Sequence, residues 1–390
     1  MGRDSMRAML EQVVASAITS ARLRTLRRRR HAFVRQILRR RPLVRFFHQV
    51  DDPYSVLAIQ AVPLLKERYD IDIEVHPVTA PDMAAAPEPK MLAAYGLRDA
   101  ELLARHTGFS LDASGLTAIA PAPSAAALAA GDALRRKLGH YLGATFHFEG
   151  EWFWGLDRLS FLEERLAPFR RSDAPGGFIA PRREIKLEPV RRAETPPLLE
   201  AFISFRSPYT YLAIDRLVKL ASHYGADLRL RFVLPMVMRG LPVPLAKRIY
   251  IVRDCKREAE RLGLPFGRIS DPVGAGAERG LSVLHHAIRE GLGPQFAASF
   301  LQGVFAEGMN AASKTGLMRM AQRAGLSRAQ VRNALGDPSW REVAEENREA
   351  MFTGGVWGVP AFRVQGGDLL WGQDRLWAIE DELRAACEKA

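Results

Sequence analysis

The sequence predicts an α/β protein built from two copies of one βαβ…ββα unit. The frame P-Y-[ST]-x-L-A occurs at residues 53–58 and again 155 residues later, at 208–213. Each copy follows a short apolar run and precedes an amphipathic stretch and a second apolar run. Near the end of each half, two short apolar runs around a glycine-containing turn lead into W-G-x-D-R-L, at 154–159 and 371–376. Two matched blocks in the same order indicate an internal repeat.

The elements of each half follow from hydrophobic spacing. In the second copy, the helix after Pro208 carries an apolar stripe at helical spacing, and "ADLRLRFVL" after it alternates as a strand does. A strand, a helix and a second strand imply a parallel pair with a right-handed crossover. A helical insert then separates this βαβ part from the ββα part, and it is longer in the second half.

A chain of 390 residues is long enough for two domains of ordinary size. We expect an Arg-rich N-terminal helical arm at 1–42, a first domain at 43–166 and a second domain at 198–386. The Pro-, Gly- and Arg-rich stretch between the domains has no periodicity and predicts a linker at 167–197.

The net charge of +12 is concentrated in the arm. Residues 1–41 hold 12 Arg and no Lys against two acidic residues, so the rest of the chain is nearly neutral. Such a run could bind a polyanion, an anionic lipid surface or an acidic partner. The interpretation we favour is a solvated helix that packs its apolar side chains on the body of the protein: Leu23, Leu26, Phe33, Ile37 and Leu38.

Several classes of protein are disfavoured. The two cysteines form no C-x-x-C, which argues against a disulfide framework, a cysteine zinc site and a dithiol redox centre. We expect no metal site, because no ligand spacing appears. No apolar run is long enough to span a membrane, and the N-terminal stretch does not read as a signal peptide. We therefore expect a cytoplasmic protein, and the sequence leaves a homodimer open.

The order βαβ…ββα resembles the thioredoxin fold, and the helical insert resembles its DsbA-like branch. The second half is similar to the 2-hydroxychromene-2-carboxylate isomerases and the kappa-class glutathione transferases in four blocks: "FRSPYTYLA", "KRIYIVRDCKREAERLGLPFG", "GVPAF" and "LWGQDRL". The resemblance covers about 196–386 and extends over 43–166 only to the fold and the repeat. The fold class expected is therefore α/β, with two thioredoxin-like (DsbA/kappa-type) domains in tandem, each with a helical insert.

The turn before the first helix of the second copy is the candidate catalytic element. Ser207 and Thr210 stand where thioredoxin-like proteins carry two cysteines, and without sulfur no mixed disulfide can form. A helix N-terminus and a serine hydroxyl can still stabilise the thiolate of bound glutathione. The resemblance implies this role for Ser207, whereas a simple helix N-cap is the alternative.

The resemblance also implies the remaining glutathione contacts. Pro360 would be cis and face the Ser207 turn, and the backbone of Val359 would pair with glutathione as an extended peptide. Gln373 and Asp374 would bind its γ-glutamyl end.

Four further residues are candidate contacts to the substrate or to a carboxylate: Tyr209, Arg239, Lys247 and Tyr250. For the two cations, a surface ion pair is an equal alternative. The segment 233–247 lacks the Asn that this family carries there, so the resemblance does not identify the substrate.

The first copy differs at three ligand-facing positions, although Asp157 matches Asp374. Asp52, with Asp51 beside it, replaces Ser207; Ala144 replaces Pro360; and Leu156 replaces Gln373. Two carboxylates would repel a thiolate, so this copy is expected not to bind glutathione. An acid–base pair with different chemistry is the alternative.

The function expected is a glutathione-dependent isomerase or transferase acting on a small, electrophilic, aromatic-derived substrate. A non-catalytic thioredoxin-like scaffold is the alternative. A DsbA-type disulfide oxidoreductase is disfavoured because the site lacks cysteine.

Overall fold

The computed structural model describes residues 12–112, 114, 119–120, 122–191 and 193–388, and it contains two four-stranded sheets. The described chain divides into two compact units. The first unit comprises residues 21–183 and 244–250. The second comprises the described residues up to 20, together with 184–243 and those from 251 onward.

The first unit holds a sheet in the order β2-β1-β3-β4, with β1 parallel to β2 and the other pairs antiparallel. Large apolar side chains on β1 and β3, such as Phe46 and Phe146, are fully buried in its core. Its elements are α1 (Ala21–Ile37), β1 (Leu43–His48), α2 (Pro53–Ile59), α3 (Ala61–Arg68), β2 (Asp72–Pro77), α4 (Pro89–Thr107), α5 (Ala125–Lys137), β3 (Thr145–Phe148), β4 (Glu151–Trp154) and α6 (Leu159–Leu166).

One predicted helix of this unit is interrupted. The sequence pattern predicts a single helix after Pro53, but α2 ends at Ile59 and α3 begins at Ala61. Pro63 has no N–H to donate to the carbonyl four residues earlier, which explains the break in helical hydrogen bonding.

Helix α1 is held by ion pairs, and none of its residues is buried. Arg28 pairs with Glu151 at 2.6 Å and Arg35 with Glu149 at 3.0 Å. The expectation that its apolar side chains pack on the body is wrong, since all five of them are 44–63% exposed. The first eleven residues of the expected arm lie outside the described residues.

The second unit holds a sheet in the order β6-β5-β7-β8, again with one parallel and two antiparallel pairs. Its core joins α7, the sheet and the insert helices. Its elements are β5 (Leu198–Ile203), α7 (Pro208–Tyr224), β6 (Asp227–Phe232), α8 (Leu245–Arg261), α9 (Ala275–Arg289), α10 (Gly293–Gln302), α11 (Lys314–Arg323), α12 (Arg328–Gly336), α13 (Trp340–Thr353), β7 (Ala361–Val364), β8 (Leu370–Trp371) and α14 (Leu376–Glu388). Helix α8 is divided, because its residues up to Tyr250 belong to the first unit.

Parts of the stretch expected to be a linker, residues 167–197, are hydrogen-bonded to each of the two units. In the first unit, the Ile179 amide donates to the buried Glu163 carboxylate at 3.0 Å. In the second, the amide of Lys186 donates to Glu380 at 2.7 Å. Residue 192 of this stretch lies outside the described residues.

Within the described ranges, no helix is both long enough and apolar enough to cross a membrane.

Candidate functional site

The Ser207 turn begins helix α7. Ser207 has an extended backbone, and its Oγ accepts a hydrogen bond from the Thr210 amide at 3.2 Å. Pro208 occupies the first helical position, where a missing N–H costs nothing. The helix therefore starts directly after Ser207, which places the Ser207 side chain at the positive end of α7.

The loop before β7 meets this turn. The Val359–Pro360 peptide is cis, as the family resemblance implies. Ser207 Oγ donates to the Val359 carbonyl at 3.2 Å, so two elements 152 residues apart share one hydrogen bond. Gly358 permits the approach of Trp371, because a Cβ at Gly358 would lie 2.0 Å from the indole ring.

Two more hydroxyls lie three residues before and three residues after Ser207. Ser204 and Thr210 are both buried, and neither hydroxyl has a hydrogen-bond partner among the described residues. Buried hydroxyls ordinarily find a partner. The turn therefore offers polar groups that a bound molecule could use.

Gln373 and Asp374 form a polar network with Arg216 of α7. The Gln373 carbonyl accepts from Arg216, and its amide donates to the Asp374 carboxylate. Burial lowers the pKa of Arg216, and the charge of Asp374 opposes that shift. Both ends of the Gln373 amide are thus engaged, while Asp374 lies beside the half-buried guanidinium of Arg216. Sequence reasoning missed Arg216, which reads as one more polar position on the helix.

The family comparison bears on this unit. Residues 198–384 match the model of the DSBA-like thioredoxin domain. We call the matched region, residues 198–384, the DSBA-like domain. The match begins with strand β5 and ends within helix α14, so it contains Ser207, Val359 and Asp374.

Similar proteins match about half of the chain. A 2-hydroxychromene-2-carboxylate isomerase from Pseudomonas putida is 25% identical over 203 residues, which cover 49% of this chain and 97% of that protein. A solved 2-hydroxychromene-2-carboxylate isomerase is 23% identical with a TM-score of 0.43, covering 49% of this chain and 97% of that one. The cytosolic disulfide reductase DsbM from Pseudomonas aeruginosa, solved with GSH, is 23% identical with a TM-score of 0.39, covering 49% and 98%.

An ion pair next to the Ser207 turn of the DSBA-like domain was not foreseen. Arg206 makes a two-pronged contact with Asp271, with nitrogen–oxygen distances of 2.7 and 2.8 Å. A planar guanidinium bound in this way fixes the backbone next to Ser207. No sequence signal pairs these residues, because 65 residues separate them.

Tyr209 is bound to a buried carboxylate in the DSBA-like domain. Its hydroxyl donates to Asp254 of α8 at 2.8 Å, and Arg257 lies 3.7 Å from the same carboxylate. Sequence reasoning named Tyr209 as a ligand contact and did not find its partner.

A signal for this pair was present in the sequence. The pattern Y-x-x-R-D occurs at 95–99 and again at 250–254, with the same 155-residue offset as the proline turns. In the first unit, Tyr54 correspondingly donates to Asp99 at 2.8 Å.

The other candidate contacts fall in different places. Arg239 belongs to the DSBA-like domain, where burial lowers its pKa and its Nε lacks a hydrogen-bond partner among the described residues. Lys247 belongs to the first unit, donates to the Ala85 carbonyl at 2.7 Å and has its pKa lowered by burial to about 8. Tyr250 is also in the first unit and packs edge-on against His140.

The first unit has a carboxylate at the position of Ser207. Asp52 caps α2 by accepting from the amides of Tyr54 and Ser55 and from the Ser55 hydroxyl. Burial raises the pKa of Asp52 to about 6, and the hydrogen bonds from Ser55 and Tyr54 oppose the shift.

The loop before β3 and the loop before β7 make the same kind of backbone hydrogen bond. The Ala144 carbonyl accepts from Gly155 at 2.7 Å, as Pro360 accepts from Gly372 at 2.8 Å in the DSBA-like domain.

No group of three or more His, Cys, Asp or Glu residues that could hold a metal ion occurs in the part of the chain that the structure describes.

Proposed function

We propose that the DSBA-like domain is a glutathione-dependent isomerase or transferase that acts on a small electrophile, of aromatic origin. The observation that carries the proposal is the Ser207 hydroxyl at the N-terminus of α7, bonded to the Val359 carbonyl beside the cis peptide. The names of the curated relatives support an isomerase.

The residues of the domain fit glutathione in three respects. The Ser207 hydroxyl can turn from the Val359 carbonyl toward a sulfur while it still accepts from Thr210. The Val359 carbonyl is then released for an extended peptide, and the Val359 N–H has no hydrogen-bond partner among the described residues. The Asp374 carboxylate can bind the ammonium group of the γ-glutamyl end.

Gln373 takes a different place in this proposal from the one that the resemblance implies. Because both ends of its amide are engaged by Arg216 and Asp374, Gln373 orients the Asp374 carboxylate. Its effect on glutathione then passes through Asp374.

Bound glutathione would supply a thiolate that adds to an electrophilic carbon. In an isomerase this addition is reversed and glutathione is recovered as a cofactor, whereas in a transferase glutathione is consumed. The chain supplies the positive end of α7 and the Ser207 hydroxyl, both of which stabilise negative charge on sulfur and lower the thiol pKa. We also retain a cytoplasmic location as a prediction.

The first unit is proposed to be a diverged copy of the same domain. Leu43 pairs with Asp72 in β1–β2, and Leu198 pairs with Asp227 in β5–β6, each 155 residues further on. Buried tyrosine–glutamate pairs recur as well, as Tyr69–Glu163 and Tyr224–Glu380.

The two residues that contact each other beside Asp374 are replaced by apolar residues in this copy. The positions of Arg216 and Gln373 hold Ala61 and Leu156, both of them part of the first unit's hydrophobic core. We therefore propose that the first unit does not bind glutathione.

Calorimetry with glutathione on the full chain tests the cofactor. We expect one binding event that Asp374→Asn weakens, and an unchanged event after Asp157→Asn at the matching position of the first unit. Absence of binding at millimolar glutathione would favour a scaffold.

Turnover tests the reaction. With 2-hydroxychromene-2-carboxylate and glutathione, an isomerase converts the substrate while the free thiol concentration stays constant. A transferase consumes one thiol for each product molecule.

A further inference from the structure

Helix α1 has one face fixed to the first unit. Arg28 and Arg35 form the ion pairs with Glu151 and Glu149, and His31 lies against Gly150 of the same hairpin turn. Residues at this spacing lie on one face of a helix. Arg165 also pairs with both glutamates, so the attachment is a network that sets the rotation of α1 about its axis.

The opposite face of α1 is apolar and exposed. Leu26, Phe33 and Ile37 are 63%, 62% and 63% exposed, and their spacing of seven and four residues places them on one stripe. At 100° per residue, this stripe is turned about 180° from the anchored face. Val34, which is exposed too, lies beside it.

Arginines border the apolar stripe. Arg22, Arg27, Arg29 and Arg30 are exposed, and Arg30 lies within the stripe itself. The ion pairs to the hairpin do not involve these four side chains. The outward half of α1 therefore combines large apolar side chains with guanidinium groups, the pattern of a helix that lies in a membrane interface.

Two other occupants fit this surface less well. A nucleic acid would neutralise the arginines and leave Leu26, Phe33 and Ile37 in water. A second copy of the chain would cover the apolar stripe and bring arginines of both copies together. An anionic lipid surface satisfies both features, because acyl chains take up the apolar side chains and headgroups attract the cations.

We propose that α1 binds an anionic lipid surface, with Leu26, Phe33 and Ile37 inserted at the interface. This inference does not depend on the glutathione site. It proposes that the helix binds to the surface of a bilayer and does not span it.

The test is co-sedimentation of the full chain with vesicles, either of phosphatidylcholine alone or with added phosphatidylglycerol. We expect binding to the anionic vesicles only. The triple variant Leu26→Ser, Phe33→Ser, Ile37→Ser should lower the partition coefficient by about a hundredfold or more, since burial of three large apolar side chains is lost. All three side chains are exposed, so the fold should be retained, which circular dichroism checks.

The control is Leu97→Ser, because Leu97 is 51% exposed on α4 of the same unit. It should leave partitioning unchanged. The variant Arg22→Gln, Arg29→Gln, Arg30→Gln should also weaken binding and reduce its salt dependence.

Three results would overturn the proposal. The first is no binding to anionic vesicles. The second is full vesicle binding by the serine triple variant, which would indicate a purely electrostatic polyanion site. The third is a wild-type dimer in light scattering that the serine triple variant converts to a monomer, which would assign the stripe to a second copy.

Discussion

Replacing Ser207 by alanine separates a catalytic hydroxyl from a structural cap. Ser207 Oγ makes two hydrogen bonds, one donated to the Val359 carbonyl and one accepted from the Thr210 amide. When the donated bond turns to the sulfur of glutathione, it becomes a bond to a charged group, worth about 1.5–3 kcal/mol. One pKa unit corresponds to about 1.36 kcal/mol, so the bound thiol pKa should rise by about one to two units in Ser207→Ala.

The backbone of α7 is unchanged by this substitution, so the helix dipole retains the rest of the pKa depression. The accepted bond matters separately, because loss of an N-cap costs about 1 kcal/mol of stability. Ser313→Ala provides the matched control, since Ser313 caps α11 by accepting from the Gly316 amide at 3.0 Å. It should lower stability to a similar extent without changing the thiol pKa.

The assay is the ultraviolet absorbance of the glutathione thiolate against pH, with the ligand bound to wild type, Ser207→Ala and Ser313→Ala. Ser207→Thr keeps a hydroxyl and should restore much of the pKa depression. Superimposed titration curves for wild type and Ser207→Ala would reduce Ser207 to a cap and remove the catalytic assignment.

Three further predictions concern stability. The folded-state pKa of Asp52, about 6, exceeds its ordinary value of 3.8, so its contribution to stability falls as pH rises between these values. Asp52→Asn should therefore be more stable than wild type by up to about 3 kcal/mol above pH ~6, whereas Asp51→Asn should not be, as urea unfolding against pH will show. Glu200→Gln breaks a buried contact to two arginines of the neighbouring strands and should cost the second unit about 2–3 kcal/mol in urea unfolding; a loss below 0.5 kcal/mol would contradict the assigned contact. Tyr209→Phe removes the hydroxyl bound to Asp254 and should lower the free energy of unfolding by about 1–3 kcal/mol without changing the affinity for glutathione. A loss of glutathione binding in calorimetry would contradict this prediction.

The sequence by itself determined the local elements and their order. The repeat at Pro53 and Pro208 predicts two βαβ starts, and the chain forms a parallel pair after each strand. Serine followed by proline predicts the helix start at Ser207, and the family resemblance of "GVPAF" implies the cis peptide at Val359. These features depend on neighbouring residues, whose spacing is written in the sequence.

Only the tertiary structure decided which side chains meet across the fold. The pairs Arg206–Asp271 and Arg216–Gln373 are distant in sequence. The spacing of a charged residue in the sequence does not predict which distant residue it contacts. The same holds for α1, whose periodicity shows an apolar stripe but not the direction in which it points. Ion pairs to Glu149 and Glu151 turn that stripe to solvent, because they bind the opposite face of the helix.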